Sequence, residues 1–433
     1  MHETRTADLN PNTEEGRALW VSTLAFTVCF AVWTIFSIIG VRIKDELGLT
    51  ETEFGLLVGT PILTGSLSRI FLGIWTDRYG GRLVFTLVML ATSIATVLLA
   101  FAHTYAQVLA AALGVGLAGG SFAVGVAYIS RFYPQQRQGT ALGIFGVGNV
   151  GAAVTKFAAP FVLLAWGWQA VALVWAGALA LMAIAFYVST IDDPVLIERR
   201  RTGAPAKPML LELSALRDLR VWRFAYYYFF VFGAFVALAL WLPRYLIGVY
   251  GFDIATAGMI GALYSIPASI FRAYGGVLSD RTGARSVMYW SLGVSAVATL
   301  ILSLPPTSYV MRGIKGDIAS HFEIGVMAFI VAAFVLGFFM SLGKAAVFKH
   351  IASYYPNNVG AVGGLVGMIG GLGGFILPIA FGALNDLTGL WSSCFMLLFA
   401  IVVVALVWMD VSVRRTKQPQ TESSPRNVVV AAE

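Results

Sequence analysis

The stretch GIWTDRYGGR, residues 73–82, returns 203 residues later in the chain as GVLSDRTGAR, residues 276–285. Glycine, the pair Asp-Arg, a second glycine and a closing arginine keep the same spacing in both copies. Ser66 and Arg69, which precede the first copy of the motif, also recur 203 residues later, as Ser269 and Arg272. So many identities at one offset predict a duplicated chain, in which two halves share one architecture.

A second echo lies further along each half. Tyr133-Pro134 matches Tyr355-Pro356 at an offset of 222, and after a one-residue slip three glycines match at an offset of 221. The glycines are Gly139, Gly143 and Gly146 in the first half and Gly360, Gly364 and Gly367 in the second. Paired repeats of this kind are typical of transporters that rock one half against the other.

The composition indicates a membrane protein. Of 433 residues, 58% are hydrophobic and 12% are charged, and the mean hydropathy is +0.80. Soluble domains carry about a quarter charged residues. Disordered chains lack so many apolar residues, so the composition excludes disorder. A disulfide scaffold is excluded because the chain has only two cysteines, Cys29 and Cys394, and both lie inside apolar runs.

Twelve apolar runs are long enough to cross the roughly 30 Å hydrocarbon core, so an all-α bundle of twelve transmembrane helices in two six-helix repeats is expected. The runs are 19–41, 54–75, 83–102, 106–130, 139–163, 168–190, 223–247, 254–278, 286–304, 324–348, 360–380 and 389–411. This divides the chain into a tail (1–18), a first half (19–190), a linker (191–222), a second half (223–411) and a tail (412–433).

The positive charges predict the orientation. Of 29 Lys and Arg residues, five fall in loops on one side of the predicted bundle: Arg42, Lys44, Arg244, Arg312 and Lys315. Most of the others lie in the tails, the linker and the loops on the opposite side. Because cytoplasmic loops are enriched in Lys and Arg, both termini are expected in the cytoplasm, in a multi-pass protein of the inner (cytoplasmic) membrane. The high pI then needs no nucleic acid as partner.

Four cations lie within the predicted spans: Arg69, Lys156, Arg272 and Lys344. No acid lies well inside any span, so the expected partner of these cations is a mobile anion. Arg69 precedes Asp77 by eight residues, which places it ~12 Å deep, near the midplane where transporter sites occur. The alternative is an arginine that extends its side chain to the membrane surface.

Arginine suits a small planar oxyanion, because its guanidinium is a rigid fork that can donate two parallel hydrogen bonds. A carboxylate would also fit such a fork. Phosphate would need more donors and fewer aromatic neighbours. The residues alone therefore leave the identity of the anion open.

The repeated loop motif resembles that of the major facilitator superfamily. One family of that superfamily is the nitrate/nitrite porter family, and residues 118–160 and 360–378 of this chain resemble its two signatures. The stretch KAAVFKH, residues 344–350, resembles the proton-linked importers of that family. The resemblance implies that Arg69 and Arg272 clamp nitrate. It also implies further binding residues: Phe122, Tyr228, Phe232, Asn149, Gly146 and Gly367.

Two further roles are predicted. Lys344 and Lys156 couple a proton to the anion by changing protonation during the cycle; the alternative is that they stay charged and only strengthen the anion site. The loops at the two repeated motifs are gates, in which an Asp pairs with a neighbouring Arg and holds one state closed. The gating residues are Asp77, Arg78, Asp280, Arg281, Arg131 and Arg137.

The expected function is nitrate import by alternating access, as a nitrate/proton symporter. Nitrate/nitrite antiport, transport of another small anion such as a carboxylate, and a transport-inactive anion sensor are the alternatives. No enzyme is expected, because the four histidines are dispersed and neither metal-ligand spacing nor a nucleophile motif is present. Nitrate, nitrite, protons and the lipid bilayer are the expected partners, with no cofactor and a working monomer.

Overall fold

A computed structural model describes residues 10, 13–202, 217–355 and 359–417. The tails beyond these bounds, the middle of the predicted linker and Pro356 of the second echo lie outside the described residues. Within them, twelve helices are long and apolar enough to cross a membrane, which confirms the predicted all-α architecture.

The spans of the first half run in chain order as follows. They are span 1 (Glu14–Trp33 and Phe36–Leu47), span 2 (Glu51–Tyr79), span 3 (Gly81–Leu99), span 4 (Tyr105–Val115 and Ser121–Ser130), span 5 (Gln135–Gly146 and Gly151–Trp166) and span 6 (Trp168–Ser189). Short 3₁₀ turns, Gly116–Gly120 and Val147–Val150, join the segments of spans 4 and 5.

The second half repeats this order. It contains span 7 (Leu219–Tyr228 and Phe235–Tyr250), span 8 (Ile254–Ile270 and Arg272–Thr282), span 9 (Ala284–Leu302), span 10 (Val326–Tyr354), span 11 (Val359–Gly371 and Gly373–Thr388) and span 12 (Ser393–Lys417). A π turn, Phe229–Ala234, joins the two segments of span 7.

The second glycine of each repeated motif makes a tight turn between two spans. Gly80 has φ +91° and Gly283 has φ +85°, and span 3 or span 9 begins at the next residue. Only glycine adopts this region without steric strain. The motif therefore has one conformation in both halves, and the two turns mark one end of the bundle, which we call the Asp-loop end.

At the opposite end, which we call the far end, span 2 begins with a capping box. The Thr50 side chain accepts a hydrogen bond from the backbone N–H of Glu53, whose carboxylate in turn accepts one from the backbone N–H of Thr50. This arrangement satisfies backbone donors that a helix start leaves unpaired.

The polar ends of spans 1 and 2 continue as helix beyond the apolar runs, so both are longer than predicted.

The two halves meet along spans 2 and 11 and along spans 5 and 8. Spans 1 and 7 lie centrally: the most apolar window of span 7 is 89% buried, against 33% in the peripheral span 12. The buried cations predicted for spans 2, 5, 8 and 10 are therefore carried by helices at or beside the interface between the halves.

Two elements were not predicted. A helix, Pro194–Thr202, occupies part of the linker. A two-stranded antiparallel hairpin, Thr307–Gly313 and Gly316–Phe322, stands between spans 9 and 10, and Met311 lies opposite Ile318. Nearly all hairpin residues are exposed. Neither element has the long apolar run by which the spans were found, which is why hydropathy missed both.

Candidate functional site

Arg69 and Arg272 lie buried beside the same aromatic ring. The Arg69 Cζ atom is 5.7 Å from the centroid of the Phe122 ring, and the Arg272 Cζ atom is 5.4 Å from the same centroid. The two arginines are only 6% and 7% exposed. The structure thus brings together two residues 203 positions apart, as the repeat predicts, and places Phe122 beside both.

Each arginine lies against glycines of the opposite half. Arg69 donates a hydrogen bond from Nη1 to the carbonyl oxygen of Gly367, at 2.8 Å. A Cβ atom added to Gly371 would lie 3.4 Å from the same Nη1, and one added to Gly146 would lie 3.2 Å from Cδ of Arg272. Residues without a side chain at these positions leave room for the guanidinium groups between the halves.

Several polar atoms at this level have no hydrogen-bond partner among the described residues. They are Nε of Arg69, Nη1 of Arg272 and both amide atoms of Asn149, all of them buried. Buried polar atoms are nearly always paired in folded proteins, and those that are not need an explanation. The charged donors among them suit an anion, and the Asn149 amide can both donate and accept.

Further aromatic rings enclose the arginines. Tyr228 stacks on Phe232, with ring centroids 5.0 Å apart, and meets the ring of Phe348 edge-on at 5.3 Å. Phe232 lies 5.5 Å from the Cζ atom of Arg69. The π turn at Phe229–Ala234 widens span 7 here, and such turns often occur at functional sites. The predicted aromatic residues Phe122, Tyr228 and Phe232 therefore all border the arginines.

Two site residues were missed by sequence analysis. Phe348 lies 5.7 Å from the Cζ atom of Arg272, and Trp33 lies 6.0 Å from that of Arg69. Phe348 is one helical turn after Lys344, which was a signal that could have found it. Trp33 precedes the break in span 1, and no pattern in the sequence distinguishes it from the other tryptophans.

Lys344 lies beside the arginine site but is held within its own half. Its ammonium donates a hydrogen bond to the carbonyl oxygen of Ala268 at 2.7 Å and lies 3.2 Å from the centroid of the Phe235 ring. The side chain is fully buried. The ammonium also lies 5.9 Å from the centroid of the Phe232 ring, which borders Arg69.

Lys156 lies away from the arginines. Its ammonium donates a hydrogen bond to the hydroxyl of Ser265, which precedes Arg272 by seven residues, about 10 Å along span 8. The side chain is fully buried. The structure thus separates the two lysines that the sequence grouped together: Lys344 borders the site, and Lys156 lies on its far-end side.

The gating residues form one contact of the predicted kind. Asp77 pairs with Arg131, the residue that follows span 4, and Arg131 also binds the buried carboxylate of Asp193 at 2.9 Å. In the second half, Asp280 pairs with Lys349 and not with an arginine. Both contacts stay within one half.

The other gating candidates are Arg78, Arg137 and Arg281. Arg78 stacks on the ring of Tyr79, with its Cζ atom 5.5 Å from the centroid. Arg137 and Arg281 are exposed at the Asp-loop end.

At the far end, polar contacts join the two halves, and sequence analysis missed them. Arg244 of span 7 binds the carboxylate of Glu51 with Nε at 3.1 Å. Asp386 of span 11 accepts hydrogen bonds from the backbone N–H groups of Glu51 and Thr52, at 3.2 and 2.8 Å. The described residues therefore close the far end, and the arginine site lies between this closure and the Asp-loop end.

Comparison with known proteins places this geometry in a family. The chain matches the family model described as Major Facilitator Superfamily over residues 21–313 and 250–431. It is 43% identical to the probable nitrate/nitrite antiporter NarK1 of Thermus thermophilus, over 94% of this chain and 93% of the relative. It is 33% identical to the probable nitrate/nitrite transporter NarK2 of Mycobacterium tuberculosis, over 94% of this chain and 98% of the relative.

A solved structure shares the fold. It is a bacterial homolog of the human lysosomal transporter Spinster in an inward-facing and occupied conformation, with a TM-score of 0.70 and 17% identity, covering 94% of this chain and 97% of that one. A fold and relatives of transporters, and not of enzymes, confirm the expectation that the chain is no enzyme. Together with the duplicated motif and the paired arginines, these matches show that the chain belongs to the major facilitator superfamily, in its nitrate/nitrite porter family.

Proposed function

We propose that this protein imports nitrate across the inner membrane by alternating access, with both termini in the cytoplasm. One observation carries the proposal: two buried guanidinium groups from opposite halves share the Phe122 ring, and each retains a donor atom that has no partner among the described residues. A planar trigonal anion can accept parallel hydrogen bonds from a guanidinium fork. Relatives named as nitrate/nitrite transporters favour nitrate over the carboxylate alternative.

The charge balance of the interior supports an anion as the substrate. Arg69, Lys156, Arg272 and Lys344 are all buried, whereas the described part of the chain contains one buried carboxylate, Asp193, which pairs with Arg131 at the Asp-loop end. Cations without acids inside a membrane protein are costly unless a counter-ion visits them.

We assign roles to the site residues on this basis. Arg69 and Arg272 clamp the anion from two sides, and Phe122, Tyr228 and Phe232 restrict the space to a small planar ligand. Gly146 and Gly367 lie beside the guanidinium groups and leave them room, and Asn149 orients the anion through its amide. The far-end contacts of Glu51 and Asp386 keep the site closed on that side, which in this orientation faces outward.

Nitrate/proton symport is the proposed coupling, and it rests on the two buried lysines. An amine that gains a proton when the anion binds makes the two events cooperative, because each stabilises the other. Lys344 lies beside Phe232 of the arginine site and is the first candidate for this role, with Lys156 as the second. Gates at Asp77, Arg78, Asp280, Arg281, Arg131 and Arg137 would act at the cytoplasmic end.

Nitrate/nitrite antiport is a second candidate function. It is favoured by the relative with 43% identity, which is named as an antiporter. In that mechanism the same two arginines bind nitrate and nitrite in turn, and the lysines contribute positive charge without changing protonation.

Uptake into proteoliposomes containing the purified protein as a working monomer separates the two mechanisms. One set has an imposed inward proton gradient and no internal nitrite; the other has internal nitrite and no gradient. Symport predicts nitrate uptake in the first set. Uptake confined to the second set would establish exchange and contradict the proton role of the lysines, and no uptake in either would contradict nitrate as the substrate.

A further inference from the structure

Spans 5 and 8 pack antiparallel across the boundary between the halves. At the level of the site, Gly146 lies against Arg272, as described above. Nearer the far end, Lys156 contacts Ser265. Beyond that contact, Gly258 lies so close to span 5 that an added Cβ atom would be 2.4 Å from the carbonyl oxygen of Lys156. Lys156 therefore lies in the interface between the halves, between the arginine site and the far-end closure.

The partners of Lys156 all belong to the opposite half. Its ammonium donates to the Ser265 hydroxyl, and Gly261 leaves room for its aliphatic stem, since an added Cβ atom would lie 3.1 Å from Cδ of the lysine. Among the described residues, its ammonium forms no ion pair and makes one hydrogen bond, to Ser265. A fully buried cation is thus held by one neutral hydroxyl on a helix that must move relative to it.

Lys344 provides the contrast. Both the Ala268 carbonyl and the Phe235 ring that hold its ammonium belong to the same half as Lys344 itself. Rocking of one half against the other leaves these contacts intact. The Lys156–Ser265 contact, in contrast, joins the two halves on the far-end side of the site, so opening of the far end must break it.

We propose that Lys156 is an entry site for a small monoanion, which becomes available only when the far end opens. In the closed state the Lys156 ammonium donates its hydrogen bond to the Ser265 hydroxyl and is not available to an anion. When the halves part, the ammonium faces the incoming solution about 10 Å from the arginine level and attracts anions electrostatically. A lysine is a compact, flexible point charge and not a rigid fork, so it holds the anion loosely and releases it to Arg69 and Arg272. This inference rests on the proposed anion import.

Two substitutions separate an entry site from a simple latch. Lys156→Met removes both the cation and the contact, whereas Ser265→Ala removes the contact and keeps the cation. An entry site predicts that Lys156→Met raises the KM for external nitrate about tenfold and weakens its dependence on salt, because electrostatic attraction is lost. Ser265→Ala leaves that KM unchanged or lowers it, and Lys156→Arg retains most of the wild-type behaviour.

The measurement is nitrate uptake into right-side-out vesicles at low and high ionic strength. If both substitutions changed the external KM equally, or if Lys156→Met left it at the wild-type value, the entry site would be overturned while nitrate transport by the unaltered protein still supported the proposed function. If the unaltered protein transported no nitrate, both proposals would be overturned.

A second measurement tests accessibility directly. The thiol of a Ser265→Cys variant should react with a membrane-impermeant maleimide added outside, and Glu51→Gln should accelerate the reaction by weakening the far-end closure. The two native cysteines, Cys29 and Cys394, are buried and give a low background. If the Ser265→Cys variant never reacted from outside during transport, the proposed exposure of this layer would be contradicted.

Discussion

The two ends of the bundle use their charged side chains differently. At the far end, Glu51 and Asp386 make contacts that cross from one half to the other. At the Asp-loop end, the described ion pairs of Asp77 and Asp280 remain within one half each. The halves can therefore separate at the Asp-loop end without losing these ion pairs, whereas opening of the far end must break polar contacts. The difference indicates that this conformation is closed at the far end.

The linker adds a further difference between the halves. Asp193 binds Arg131 and also accepts a hydrogen bond from the backbone N–H of Leu196, at the start of the helix Pro194–Thr202. Gly80 is in close contact with that helix, since an added Cβ atom would lie 2.4 Å from the Leu196 side chain. At the equivalent Gly283, an added Cβ atom would meet nothing within 4 Å. The two copies of the motif thus share a turn but not its surroundings.

The largest effect on transport is expected at the arginine site, which lies between the two ends. Arg272→Lys keeps the charge but loses the bidentate fork, so nitrate affinity should fall by about 2 kcal/mol, or roughly thirtyfold. Uptake at low nitrate concentration measures the change, and Arg312→Lys on the exposed hairpin is the matched control. Wild-type affinity in Arg272→Lys would contradict the arginine clamp.

A smaller loss is expected when the space beside an arginine is filled. The Cβ atom of Gly146→Ala would lie 3.2 Å from Cδ of Arg272 and must displace it, so uptake should fall roughly tenfold, in line with typical costs of overpacking. Gly367→Ala, whose Cβ would be 3.7 Å from Arg69, should be milder. Gly177→Ala, which meets open space, is the control for the assay. Equal losses in the first two variants would refute this explanation.

At the far end, Glu51→Gln should shift the protein toward the outward-open state. The Glu51 and Arg244 side chains are 12% and 17% exposed, so their pair contributes about 1 kcal/mol and its loss changes the population about fivefold. Spin labels at Asp45→Cys and Leu387→Cys, on opposite halves, would report a longer distance. An unchanged distance distribution would show that other contacts hold the far end closed.

The smallest effect is expected at the Asp-loop end of the second half. Asp280 and Lys349 are 62% and 45% exposed, and exposed pairs contribute less than about 1 kcal/mol. Asp280→Asn should therefore change uptake by no more than about twofold and the melting temperature by no more than roughly a few degrees. Asp77→Asn should cost more, because its partner Arg131 is only 13% exposed. The reverse order would contradict the described difference between the two halves at the Asp-loop end.

Sequence reasoning found the membrane spans because hydropathy is a local property, and it predicted that Arg69 and Arg272 meet because the repeat places both at one depth. It also found Phe122, Tyr228 and Phe232, though only through the family resemblance. It did not find Phe348 or Trp33 among the many aromatic residues of the chain. It also grouped Lys156 with Lys344, since their positions in the sequence say nothing of which half holds each ammonium.

The sequence by itself determined the twelve spans, the duplication, the depth of the paired arginines and the scarcity of acids in the interior, because each depends on residue type and spacing along one helix. Only the tertiary structure decided which residues of the two halves meet: Gly367 with Arg69, Ser265 with Lys156, and Arg244 with Glu51. These contacts join residues more than a hundred positions apart. They depend on how whole helices pack and on which end of the bundle is closed, and neither is encoded in a local pattern.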